Sequence, residues 1–84
     1  MSLPSATELS KALADAGSAH HDYEQTMLGG VRDEQWSGFY AAYVLGRLGN
    51  FATPSALSRW LEEAPDEPEW ATAAASYVLS RIDS

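Results

Sequence analysis

The sequence predicts an all-α fold, a compact four-helix arrangement of two related helical hairpins with approximate twofold symmetry inside the chain. Three observations predict it. Apolar residues recur at three- and four-residue steps in four segments, no segment alternates convincingly at period two, and one helical stretch occurs twice.

The first helix is expected to open at Ser5. Ser5 and Glu8 have the Ser-x-x-Glu spacing of a capping box, in which each side chain accepts from the other residue's backbone N–H, and Leu3 and Leu9 can brace the start. Leu9, Ala12, Leu13, Ala16, His20, Tyr23 and Met27 then form a single apolar stripe. Gly17 weakens the helix and allows a break with a restart at Ser18. The stripe stays in phase across it, however, which favours one helix ending before Gly29 and Gly30, a pair suited to a stop.

The second helix has an N-cap candidate in Asp33, and Gly49 can close it in a left-handed conformation. From Trp36 to Leu48 its only charge is Arg47, and Gly38, Ala41, Ala42 and Gly46 offer small surfaces for close approach. A helix without a polar face is either central in its bundle or covered by another subunit. The third helix starts at Thr53-Pro54, where the missing proline donor costs nothing, buries Ala56, Leu57, Trp60 and Leu61, and stops at Pro65. The fourth follows the acids Asp66 and Glu67 and Pro68, with Trp70, Ala74, Tyr77, Val78 and Ile82 along one side.

The repeat aligns Trp36 through Leu48 with Trp70 through Ile82 without a gap. Trp36 matches Trp70, Ala41 matches Ala75, Tyr43-Val44-Leu45 matches Tyr77-Val78-Leu79, and Arg47 matches Arg81. A weaker echo joins Leu9 through Leu13 to Leu57 through Leu61. The expected form is one hairpin over about residues 5–49 and a second over about 53–83, each hiding its apolar face against the other. The 34-residue offset equals a tetratricopeptide period, but that motif's small and large residues are not in place.

Eighty-four residues make a single domain over 1–84, with a core that stabilises it only modestly. The chain has no cysteine, which excludes disulfides, thiolate zinc sites and thiol nucleophiles. Its net charge of -7 and its scattered cations, Lys11, Arg32, Arg47, Arg59 and Arg81, disfavour nucleic acid and anionic membranes. No run reaches the ~20 apolar residues of a spanning helix, and no basic-then-apolar leader opens the sequence. A cytoplasmic protein is the expectation.

His20, His21, Tyr23 and Glu24 form the densest polar and aromatic cluster. Helical spacing places His20 within the apolar stripe, Glu24 at its edge and His21 outward, while an antiparallel second helix would bring Tyr40 and Tyr43 close. His20 and Glu24 are the candidate metal ligands. Two ligands fall short of a closed zinc site or a carboxylate-bridged bundle, so a hydrogen-bonded, partly buried histidine is favoured and no cofactor is expected. Arg47 lies four and seven residues along from aromatics of its own helix and has Asp15 as a plausible acidic partner; recognition of an anion between helices is the sharper alternative. Glu62, Glu63, Asp66, Glu67 and Glu69 form an acidic run that reads as solvated turn and helix-start charge, or as a docking surface for a basic partner.

The run His20-x-x-Tyr23-Glu24, followed by Asp33-x-x-Trp36-x-x-Phe39-Tyr40-Ala41-x-Tyr43, resembles a pattern in a group of small bacterial helical proteins whose function is not assigned. The resemblance covers the first half of the chain. Ser37 and Phe39 stand where the pattern often has proline and tryptophan. It implies a bacterial helical protein and supplies no activity, substrate or cofactor.

Two functions compete. The first is a non-enzymatic interaction module that forms a homodimer through the second helix, with room for a protein partner to dock. The alternative is a small-molecule or metal-binding protein with a pocket between the first two helices, bounded by His20, Tyr23, Glu24, Trp36, Tyr40 and Tyr43, with Arg47 in reach. No nucleophile-elbow, phosphate-loop or zinc-helix motif points to an enzyme.

Overall fold

The ends of the helices follow from their capping chemistry. In the computed structural model, which describes residues 3–30 and 35–83, four α-helices form. They are α1 (Ala6–Thr26), α2 (Trp36–Leu48), α3 (Pro54–Glu63) and α4 (Trp70–Asp83), and no strand occurs among the described residues.

The capping box at the start of α1 is present in both directions. Ser5 N–H donates to Glu8 Oε1 at 2.9 Å and Glu8 N–H donates to Ser5 Oγ at 3.0 Å. The helix runs unbroken through Gly17. Beyond it, Gly29 and Gly30 have φ of 62° and 85°, a region that glycine enters without a Cβ clash, and Gly30 N–H donates to Glu24 C=O at 2.8 Å. Met27, expected on the buried stripe, is instead the C-cap residue and 72% exposed. The stripe ends where the helix does.

Gln35 is the N-cap of α2 and makes no side-chain cap bond; the expected cap, Asp33, lies outside the described residues. At the other end Gly49 has φ 99° and ψ 168°, an extended mirror-image conformation essentially confined to glycine, and its N–H donates to Leu45 C=O. Thr53 caps α3 by accepting from Ala56 N–H at 3.2 Å. Ala64 then turns extended, as a residue ahead of proline is driven to do.

Packing follows the apolar faces around a closed circuit. α1 lies against α2 and α4, and α3 lies against the same two, whereas no Cα pair of α2 with α4, or of α1 with α3, comes within 8 Å. The two repeated helices are therefore diagonal. They are joined across the centre by side chains and flanked by α1 and α3. Leu9 and Leu13, Ala41 and Val44, Leu57 and Leu61, and Ala74, Ala75 and Val78 bring all four helices into one core. Repeat-matched residues share their surroundings in part. Ala41 and Ala75, and Val44 and Val78, are fully buried pairs, while Leu45 is buried and Leu79 only partly so. No helix among the described residues is long and apolar enough to cross a membrane.

Candidate functional site

The C-terminal half of α1 and the N-terminal half of α2 run antiparallel, and this places His20 against α2. His20 is 7% exposed, with ring centroids of Phe39 at 5.0 Å, Tyr40 at 5.4 Å and Tyr23 at 6.4 Å. Tyr23 also meets Phe39 at 5.3 Å. One turn after His20, Glu24 brings Oε1 to 3.9 Å from Nδ1, the outer limit of an ion pair.

Tyr40 extends this cluster toward the centre of the bundle. Its ring stands edge-to-face to Trp36 at 5.3 Å and Trp70 at 5.6 Å, and the two tryptophans meet at 5.8 Å and 74°. These are the orientations in which a ring's positive edge meets a neighbour's negative face, each contributing about 0.5–1.5 kcal/mol beyond burial. The repeat thus joins its two copies through their first residues. The Tyr40 hydroxyl lies over Gly17, where a Cβ would stand 3.2 Å from the oxygen. Burial first, and the Glu24 carboxylate second, push the Tyr40 phenol above its ordinary value.

Tyr43 and Arg47 gather elsewhere. Arg47 donates to Asp15 Oδ2 at 2.5 Å and to the Tyr43 hydroxyl at 3.4 Å, and the hydrogen bond to Asp15, ahead of that to Tyr43, holds the guanidinium more firmly protonated. The pair is open to water, with 42% and 39% of the two side chains exposed, so salt screens it and its contribution is small. Of the expected pocket residues, His20, Tyr23, Glu24, Trp36 and Tyr40 form one connected cluster. Tyr43 and Arg47 form a second, centred on Asp15.

Phe39 and Trp70 belong to the first cluster and were absent from the expected pocket. For Phe39 the signal in the sequence points the other way. Pairing Arg47 with Asp15 sets an antiparallel register in which His20 lies level with residue 42, one residue from Tyr43 and three from Phe39, whereas in the fold it is Phe39 that meets the His20 ring. Trp70 had no such signal, because its approach depends on how the hairpins pack together.

Chemically, the first cluster is a histidine enclosed by rings. His20 and Glu24 supply two donors, and no group of three or more His, Cys, Asp or Glu placed to hold a metal ion occurs among the described residues. The acidic run is partly committed to the fold. Buried Ser37 donates to Glu62 Oε2 at 2.5 Å and accepts through its carbonyl from Ser58 Oγ, while Glu63 accepts from the Tyr77 hydroxyl at 3.1 Å.

The outward face of α2 differs from its buried one. Gly38, Ala42 and Gly46 recur every fourth residue and are exposed, and a Cβ built at either glycine meets nothing within 4 Å. Half-buried Phe39 and Tyr43 flank this strip. No charge occurs from Trp36 through Gly46. No protein-family model, curated protein or solved structure matches the chain.

Proposed function

We propose that this chain is a non-enzymatic helical interaction module that associates with a second copy of itself through the outward face of α2. The observation that carries the reading is the uncharged, small-residue face of Gly38, Ala42 and Gly46 in a chain of net charge -7. Close repulsion between two such chains is least where uncharged surfaces meet, and the exposed face of α2 without charge is such a surface. Small side chains let two helix backbones approach closely, and a shared C2 axis would place Phe39 and Tyr43 of each copy over the other. The reading also treats the two hairpins as copies of one unit, supported by the matched burial of Ala41 with Ala75 and Val44 with Val78.

Light scattering after size exclusion tests it. At tens of micromolar the wild type is expected at twice the mass of the 9.1 kDa chain, and Ala42→Glu at the monomer mass with the same helix content. A wild type that remains monomeric across that range removes the proposal.

A ligand site at His20 and Glu24 is the second reading, supported by their 3.9 Å approach on one helix face. The enclosure of His20 by Tyr23, Phe39 and Tyr40 favours the first. Zinc or iron(II) titrated by calorimetry with a heat of binding lost in His20→Ala would reverse that preference.

A further inference from the structure

A groove of about 360 Å³ runs between the N-terminal half of α1 and α4, well separated in sequence from the α2 face. Thr7, Ser10 and Lys11 line it from α1 and Thr72 and Ser76 from α4, with alanines of α1 between them. No acid lines it, although the chain carries 12. Its one charge is the ammonium of the chain's sole lysine.

The state of that lysine is the central observation. Glu8 and Asp15 stand three residues before and four after Lys11, the spacings at which helix ion pairs form. Both carboxylates are engaged elsewhere, Glu8 with the Ser5 backbone N–H and Asp15 with Arg47. Within the described residues Lys11 forms no ion pair or hydrogen bond, and neither do the Thr7 and Ser76 side chains. Ser10 and Thr72 hydroxyls touch across the groove at 3.4 Å, a long contact that a better acceptor would displace.

We infer that the α1–α4 groove binds a small phosphorylated metabolite, its phosphate held by the Lys11 ammonium and by hydroxyls converging from both helices. An ammonium with several hydroxyl donors suits a tetrahedral group with several acceptor oxygens, and charge-assisted bonds are the stronger kind. The volume lies at the small end of ligand sites, which limits the occupant to a compact molecule. The chain's overall negative charge opposes an anion at long range, but about 0.1 M salt screens it beyond ~10 Å, leaving Lys11 as the local field.

The test is amide NMR of the full chain titrated with glycerol phosphate, with inorganic phosphate, acetate and chloride at matched ionic strength as comparisons. Expected are saturable shifts centred on Thr7, Ser10, Lys11, Thr72 and Ser76 with both phosphates and not with chloride. Lys11→Gln should weaken binding about tenfold, the loss of one charge-assisted bond, and Ser76→Ala less so. Both positions are exposed, so the variants should keep the wild-type spectrum elsewhere. Shifts that are absent, spread over the surface, reproduced by chloride or unchanged in Lys11→Gln overturn the site. Equal or tighter binding of acetate overturns the phosphate assignment. Because α2 takes no part, a monomeric wild type would end the self-association reading and leave this one standing.

Discussion

The contact of Tyr40 with Gly17 shows how a residue that weakens a helix can serve its packing. Glycine inside a helix costs about 1 kcal/mol relative to alanine. Here the missing Cβ leaves room for the Tyr40 hydroxyl, since an alanine Cβ would stand 3.2 Å from it. Gly17→Ala should therefore gain less stability in the wild type than in a Tyr40→Phe background, where the oxygen is gone and the full propensity gain of about 1 kcal/mol is expressed. Urea unfolding of the four proteins measures this, and equal gains in both backgrounds would show that the hydroxyl does not restrict the site. Tyr40 also has a pH signature. Its phenol titrates above the ordinary 10.0 when folded, so the unfolded chain loses this proton first as pH rises. The resulting stabilisation is whole below pH 10 and is lost as pH climbs through the raised value. Tyr40→Phe should lose less stability than the wild type above pH 10, and parallel pH profiles would contradict the burial of the phenol.

α1 and α3 carry their own start and stop signals and α2 its stop, and these were legible before any packing was known. Ser5 with Glu8, Thr53 with Pro54, the Gly29-Gly30 pair, Gly49 and Pro65 all act within about two helical turns, the range over which capping operates. α3 depends on such a signal most, having only 10 residues to share the cost of nucleation. Removing its cap by Thr53→Ala should cost about 1 kcal/mol in chemical denaturation, and Thr53→Ser should recover most of it. A serine variant no better than alanine would mean that the Ala56 amide is satisfied without the hydroxyl. The apolar stripe of α1 was equally legible from Leu9 to His20, because period alone decides which residues share a face. It misled at Met27, where the helix had already ended.

At the scale of the whole molecule, the repeat showed that α2 and α4 are related but not that they sit diagonally. The same apolar faces could have met directly. Instead α1 and α3 intervene, and Trp36, Tyr40 and Trp70 bridge the diagonal with their rings. The sequence by itself determined that four helices form, where α1 and α3 start, and most of the side each one buries, and it offered Asp15 as a partner for Arg47. These depend on neighbours within a few turns, or on a single antiparallel register. Only the tertiary structure decided that Phe39 encloses His20, that Trp70 joins Trp36, and that hydroxyls from α1 and α4 converge beside Lys11. Those contacts join segments distant along the chain, and their selection rests on how side-chain shapes interlock among several helices at once, which no local pattern encodes.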